Sequence, residues 1–248
     1  MANSEIEFWI SFLTRKFWPG NNLASGKTAK WILENRFNRE KSGGKQFGLV
    51  SWDTLWPNQQ RPMPRILIAC EFSGVVRDAF KERGWDAWSC DLLPTEKPGQ
   101  HIYGDVLGVL ADGWDMMIAH PPCTYLCSSG LHWNKRRPER AKQTEDALDF
   151  VRRLLDAPIA RIALENPIGC IATRIRPADQ IIQPWQFGHG ETKATCLWLK
   201  NLPVLKPTNV VEGRENRIWR MAPSKDRWKQ RSLTYPGIAQ AMADQWTF

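Results

Sequence analysis

The chain has 248 residues, of which 24% are charged, and a formal net charge of +8 at pH 7. This length allows one large domain of about 150 to 200 residues and a smaller addition. No stretch approaches the roughly 20 apolar residues of a membrane span, and the first ten residues lack the order of a signal peptide, so we expect a soluble, cytoplasmic protein. The positive charge suits a polyanionic partner but equally serves solubility.

Tryptophan and basic residues are concentrated in residues 1–63, which glycine and proline interrupt. Within this part, residues 6–17 and 27–37 have the spacing of short amphipathic helices. We therefore predict a basic, Trp-rich accessory region over 1–63 and a main domain over 64–248. The six cysteines lack the spacing of a disulfide framework, so we expect free thiols.

After Pro64, short apolar runs alternate with amphipathic segments. The predicted strands are Arg65–Cys70, Asp86–Cys90, Trp114–Ala119 and Ile159–Leu164, and the predicted helices are Val75–Arg83 and Pro138–Leu155. Apolar strands separated by helices predict a mostly parallel sheet that is covered on both faces, an α/β, Rossmann-like fold. Ligands of such folds bind at the carboxyl ends of the strands.

Groups that could carry chemistry follow these strand ends. In chain order they are Phe72-Ser73-Gly74, Asp91, Asp105, the loop with Cys123, and Glu165. A thiol paired with a carboxylate indicates a nucleophile and an acid. The alternative is that acids and glycines simply occupy loops, with the Pro-Pro-Cys turn serving only structure.

A metal site is a second alternative, because His120, Cys123, Cys127 and His132 lie within thirteen residues. Zinc sites favour two-residue gaps between paired cysteines, whereas three residues separate this pair. The His-x-Glu and Pro-Cys-x-x-Cys signature of zinc deaminases is also missing from the sequence. We therefore expect no metal.

The ordered series of motifs resembles the cytosine-C5 DNA methyltransferase family, which uses S-adenosylmethionine. The matching segments are Phe72-Ser73-Gly74 (first cofactor motif), Asp91 (ribose acid), Asp105 (adenine acid), Pro121-Pro122-Cys123 (nucleophile), Glu165-Asn166 (catalytic acid), Gln186–Leu197 and the final helix Tyr235–Ala243. The resemblance covers about residues 65 to 248.

The chain departs from this family at several positions. Val76 and Arg77 stand where two glycines would fall, and Lys193 and Thr195 replace two arginines. The pair Arg231-Ser232 takes the place of a glycine-asparagine pair beside the cofactor. Only the basic segment 200–233 remains of the large target-recognition domain. The chain is thus similar to small, phage-type members.

The resemblance implies roles for the site residues. Cys123 would attack carbon 6 of cytosine, with a pKa lowered by backbone amides and basic groups. Glu165 would hold ring nitrogen 3, with a pKa raised by burial. Lys193 would approach the adduct or a phosphate. Pro121 would line the cofactor site, and Asn166 and Thr195 the substrate site.

The implied substrate is DNA, with the base flipped out of the stack. Phosphate contacts are expected from Arg217, Arg220, Arg227 and Lys229, and so short a segment predicts relaxed sequence specificity. We expect a monomer. Two alternatives remain: an enzyme that modifies cytosine in nucleotides or single strands, and an altered relative that only binds nucleic acid.

Overall fold

The computed structural model describes residues 63–247. The predicted accessory region and its two helices, apart from Met63, lie outside the described residues. The strands are β1 (Arg65–Ala69), β2 (Asp86–Asp91), β3 (His101–Tyr103), β4 (Met116–Ala119), β5 (Arg161–Pro167), β6 (Gln180–Ile182) and β7 (Thr195–Lys200). The α-helices are α1 (Val75–Lys81), α2 (Ser128–Leu131), α3 (Pro138–Leu155), α4 (Ile171–Arg174), α5 (Arg217–Arg220), α6 (Arg227–Ser232) and α7 (Pro236–Gln245). Short 3-10 helices span Val106–Gly108, His132–Lys135 and Pro184–Gln186.

The strands form one sheet in the order β3-β2-β1-β4-β5-β7-β6. Strands β1 to β5 pair in parallel, whereas β7 runs antiparallel to both β5 and β6. The sheet is therefore mixed but mostly parallel. With its flanking helices, this confirms the predicted α/β class.

Alternating side chains of the central strands form two cores, one on each face of the sheet. Ile66 and Ile68 of β1 share a core with Met242 of α7, and all three are fully buried. Leu67 of β1 points to the other face, where it shares a core with Leu148 of α3. Strands that are apolar on both faces need this double cover.

The order of the strands changes direction between β1 and β4. From β1 the chain proceeds to β2 and β3 on one side, and then returns to β4 and β5 on the other. Open α/β sheets bind ligands outside the carboxyl ends of the strands at such a switch point. The loops after β1 and β4, which begin at Cys70 and His120, flank it.

Strand β5 extends beyond its predicted end, from Leu164 to Pro167. The antiparallel partner β7 explains the extension, because Asn166 pairs with Cys196 and Pro167 with Thr195. Glu165 therefore lies within a strand and has less freedom than a loop residue. In the described part of the chain, no helix combines the length and apolar character needed to cross a membrane.

Candidate active site

The Cys123 loop is fixed by its own turn and by the segment after β5. The Cys123 carbonyl accepts hydrogen bonds from the amides of Leu126 and Cys127, both at 3.0 Å. The Leu126 carbonyl accepts one from the Cys170 amide at 2.8 Å. A Cβ at Gly169 would lie 2.0 Å from the Leu126 oxygen, so only glycine fits there. The Cys123 loop and the Glu165 strand thus form one unit.

The turn brings the thiols of Cys123 and Cys127 into a contact that changes the ionisation of both. This contact lowers the pKa of Cys127 to about 5, against the opposing effect of burial and with help from the Ser129 hydroxyl. The same contact, followed by burial, raises the pKa of Cys123 well above its ordinary value. The two thiols therefore share one proton. The sequence predicts a lowered pKa for Cys123, and this prediction is wrong. The pKa is raised because the Cys123 thiol donates to a second cysteine.

Glu165 contacts a histidine that the sequence assigns only to a possible metal site. His120 Nδ1 lies 3.0 Å from Glu165 Oε2, and the two side chains are 9% and 13% exposed. Burial favours a raised pKa for Glu165, but the hydrogen bond from His120 and the charge of Lys193 outweigh it and lower the pKa. The predicted upward shift is thus wrong, because sequence reasoning did not include the imidazole.

Three further predicted residues surround this carboxylate. Lys193 Nζ donates to the Leu233 carbonyl at 3.0 Å, and its charge is close enough to lower the pKa of both Glu165 and Cys123. The buried Thr195 hydroxyl donates to the Lys193 carbonyl at 3.0 Å. Asn166 Nδ2 donates to the Pro121 carbonyl at 2.8 Å and so connects β5 to the Cys123 loop.

The turn after β1 is organised by Glu71, which is 5% exposed. Its carboxylate accepts from the Ser73 hydroxyl at 3.1 Å and from the amides of Val76 at 2.7 Å and Arg77 at 3.3 Å. Gly74 has a φ of 72°, which a residue with a side chain adopts only with strain. A carboxylate thus satisfies the first free amides of α1.

Arg77 occupies one of the two positions at which the family resemblance predicts glycine, and its side chain has a structural role there. Its side chain is fully buried, with the guanidinium beneath the loop between β2 and β3. It donates to the Ser89 and Thr95 hydroxyls at 3.2 Å each, and to the carbonyls of Lys97 at 3.2 Å and Pro98 at 3.3 Å. One buried cation therefore fixes the chain on either side of Asp91.

The two predicted cofactor acids lie at neighbouring strand ends. Asp91 ends β2 and accepts from the Leu93 amide at 2.9 Å, and burial raises its pKa despite that hydrogen bond. Asp105 accepts from the Leu107 amide at 3.0 Å and caps a 3-10 helix. Both carboxylates lie on the carboxyl edge of the sheet, beside the turn that holds Phe72 and Ser73.

The basic segment contacts the body of the domain at two points. Arg217 pairs with Glu191 at 2.9 Å, and the Tyr235 hydroxyl donates to the same carboxylate at 2.7 Å. Lys229 pairs with Glu96 and lies 5.6 Å from the centroid of Phe72. Two of the four predicted phosphate contacts thus have carboxylate partners within the protein.

The remaining residues of the segment differ in their exposure. Arg220 is exposed, whereas Arg227 is half-buried. Trp219 and Trp228 are 77% and 56% exposed, as a surface that stacks on a base requires. Ser232 is exposed, and its hydroxyl donates to the Lys229 carbonyl at 2.8 Å.

The geometry joins Cys123, Glu165 and Lys193 in one site beside the switch point, with Pro121 and Asn166 connecting their loops. Sequence reasoning missed the roles of His120, Cys127, Glu71 and Arg77. The two predicted strands that end at Ala119 and Leu164 have six residues each, which could have indicated that His120 and Glu165 lie side by side. No group of three or more His, Cys, Asp or Glu side chains among residues 63–247 could hold a metal ion.

Comparison with known proteins gives only weak structural likeness. No protein-family model matches the chain, and no curated protein does. Among solved structures, one that is similar is a candidate DNA modification methyltransferase encoded within an E. coli prophage. The identity is 12% and the TM-score 0.39, over 64% of this chain and 55% of that one. The chain thus spans about half the length of the structure that it matches.

Proposed function

We propose that this protein transfers a methyl group from S-adenosylmethionine to carbon 5 of cytosine in DNA, through a covalent adduct with Cys123. The observation that carries the proposal is the joining of the Cys123 loop to the Glu165 strand. The Asn166 amide binds the Pro121 carbonyl, and the Cys170 amide binds that of Leu126. A nucleophile and an acid are held at adjacent strand ends, beside the switch point.

The acceptors on the sheet edge fit an adenosyl group. The partly buried Asp91 carboxylate is available to ribose hydroxyls, and Asp105 lies at the next strand end. Phe72, Ser73 and Gly74 form the adjoining turn, and Pro121 and Ser232 complete the proposed cofactor site. When bound, S-adenosylmethionine supplies an electrophilic methyl group. The acids and the turn bind and orient it.

Cys123 has the chemistry that this substrate requires. Carbon 5 of cytosine is a poor nucleophile until a thiolate adds to carbon 6. At neutral pH the negative charge of the pair lies on Cys127, and Cys123 becomes the attacking thiolate when its proton passes to Cys127. Glu165 faces ring nitrogen 3 and the exocyclic amine, while Lys193 and Thr195 border the same pocket. Asn166 keeps the carboxylate and the thiol in register.

DNA is the substrate that the charge distribution favours. Arg220, Arg227 and the exposed Trp219 and Trp228 offer phosphate contact and stacking, together with Arg217 and Lys229 if their ion pairs open. About thirty residues supply few contacts to base edges, each giving about 1–3 kcal/mol of discrimination. We therefore propose a specificity of two or three bases around the cytosine, and a monomeric enzyme.

The test uses DNA that contains 5-fluorocytosine, which traps the adduct because the fluorine cannot leave as a proton does. Wild type should give a covalent complex at Cys123, located by peptide mass spectrometry, and 5-methylcytosine in ordinary DNA. Cys123→Ser should give neither, while it still binds the cofactor. Cys127→Ser is the matched control and should still form the adduct. A Cys123→Ser variant with full activity would contradict the covalent route.

One observation favours a second candidate, the modification of cytosine nucleotides. Because Arg217 and Lys229 pair with Glu191 and Glu96, fewer cations are free for a polymer than the sequence implies. Parallel assays on dCTP, single-stranded and duplex DNA separate the two. Turnover of dCTP alone would assign the enzyme to nucleotides.

A further inference from the structure

The contact between His120 and Glu165 is dictated by the register of the sheet. Strands β4 and β5 pair in parallel with Ala119 opposite Leu164. The residues that follow them, His120 and Glu165, therefore lie side by side. The His120 amide is also held by the Ala69 carbonyl at 2.9 Å. The backbone therefore places the imidazole against the carboxylate, at 3.0 Å, with both side chains largely buried.

The imidazole of His120 has one side-chain partner among residues 63–247. His120 Nδ1 meets Glu165, whereas the buried Nε2 has no hydrogen-bond partner within residues 63–247. A histidine with a purely structural role would be expected to satisfy both buried ring nitrogens. The ring is instead positioned to serve the carboxylate alone.

From this geometry we propose that His120 is a positioning residue that holds the proton which Glu165 passes to ring nitrogen 3 of the target cytosine. The inference rests on the proposed function. It assigns to a histidine the proton supply that Glu165 cannot provide by itself.

The proton balance shows why a second group is needed. When the Cys123 sulfur bonds to carbon 6, an electron pair of the ring moves to nitrogen 3, which takes up a proton. An ionised carboxylate only accepts hydrogen bonds, and the pKa of Glu165 is lowered by His120 and Lys193 despite burial. In the proposed step, protonated His120 first gives its Nδ1 proton to Oε2, which makes Glu165 a neutral acid, and Glu165 then gives that proton to nitrogen 3. The imidazole is left neutral, and the proton returns when the carbon–sulfur bond breaks.

Other ionisable groups near the pair come from two elements. Cys123 lies on the loop after β4, and its thiol interacts with the Glu165 charge. Lys193 and Cys196 come from the β7 side. Lys193 Nζ is held by the Leu233 carbonyl, so its positive charge stays near the carboxylate. The hydrogen bond from His120 and this charge both lower the pKa of Glu165, so the carboxylate does not hold the proton for the reaction by itself.

The test compares His120→Asn with the control His132→Asn, an exposed histidine of the same loop region. Asparagine can still donate an N–H to Glu165 but cannot give up a proton. We expect kcat to fall about 10²- to 10⁴-fold, with the KM for DNA and cofactor affinity nearly unchanged. A wild-type kcat in His120→Asn would overturn the proposal.

A substrate-free measurement separates this proposal from the proposed function. The chain has only four histidines, so ¹⁵N-histidine labelling should resolve the Nδ1–H of His120 as a downfield proton signal. The signal should vanish in His120→Asn and move in Glu165→Gln. Its absence from wild type would overturn the dyad even in an active methyltransferase. An intact signal with neither adduct nor 5-methylcytosine would instead overturn the proposed function, and the proton role with it.

Discussion

The guanidinium of Arg77 lies directly against Gly99, and a Cβ at position 99 would lie 2.5 Å from Arg77 Cζ. A free arginine would swing away from such a contact. Arg77 cannot, because it is fully buried and bonded to Ser89 and Thr95 and to two backbone carbonyls. Gly99 is therefore part of the arrangement that holds the loop after Asp91.

We predict that Gly99→Ala destabilises the fold by about 1–3 kcal/mol, because the added methyl group overpacks a buried site. Gly108→Ala is the control, since a Cβ there would meet nothing within 4 Å. Urea unfolding followed by circular dichroism measures both. Equal midpoints in the two variants would mean that the guanidinium moves at little cost.

Asp91→Ala should weaken S-adenosylmethionine binding by about 1–3 kcal/mol, since it removes an acceptor for the ribose hydroxyls. Asp105→Asn should also weaken binding, and it retains an oxygen to cap the 3-10 helix through Leu107. The exposed Asp112→Ala serves as the control. Titration calorimetry gives the three affinities. Wild-type affinity in both test variants would place the cofactor elsewhere.

The thiol pair predicts an unusual pH dependence of alkylation. Because the hydrogen bond from Cys123 lowers the pKa of Cys127 to about 5, Cys127 should react with iodoacetamide at nearly its full rate at pH 7. Its rate should fall only as the pH drops towards 5. In Cys123→Ala, the midpoint should rise towards the ordinary thiol value of about 8.5.

Peptide mass spectrometry assigns the alkylated sulfur, and Cys90→Ala, a buried thiol on β2, is the control that should leave the midpoint in place. A wild-type midpoint near that of a free thiol would show that the two cysteines do not share a proton.

Glu191 predicts a pH-dependent stability. Burial opposes ionisation, but hydrogen bonds from Arg217 and Tyr235 prevail and lower its pKa. A lowered folded-state pKa stabilises the fold above the unfolded value of about 4.3, and this stability is lost as the pH falls through the folded value. Glu191→Gln should thus cost about 1 kcal/mol at pH 7, a modest figure because Arg217 is half exposed, and progressively less below pH 4.3.

Urea unfolding at several pH values measures the effect, with the exposed Glu212→Gln as the control. If the loss of stability in Glu191→Gln stayed constant down to acidic pH, its cause would be the shape of the glutamine side chain and not the missing charge.

The ion pairs predict which basic side chains affect DNA binding. Replacing Arg220, Lys225 and Arg231, which form no salt bridge with a carboxylate of residues 63–247, should flatten the salt dependence of affinity by up to about 0.9 per lost contact on a log–log plot. Arg217→Ala with Lys229→Ala should change the slope less and the stability more. Fluorescence anisotropy at several salt concentrations tests this, and equal slopes would mean that the pairs open on binding.

The sequence determines the central strands and the long helix well, because their apolar spacing is a local property. Helix α3 has the predicted bounds, Pro138–Leu155, and β1 ends one residue early. The extension of β5 could not be predicted, since its cause is a partner thirty residues later in the chain. The residues that set the ionisation of the site could not be predicted for the same reason. A hydrogen bond such as that between His120 and Glu165 depends on register across strands, which composition and spacing do not specify.

The contacts of α6 connect the two proposed ligands of the domain. Trp228 lies 6.0 Å from Phe72, Lys229 pairs with Glu96, and the exposed side of the same helix belongs to the proposed DNA surface. A DNA strand that displaces or reorders α6 changes the environment of the cofactor turn. By thermodynamic reciprocity, DNA then alters cofactor affinity by the factor by which the cofactor alters DNA affinity. Under the proposed function, DNA and S-adenosylmethionine would be heterotropic effectors of each other, coupled through this single short helix.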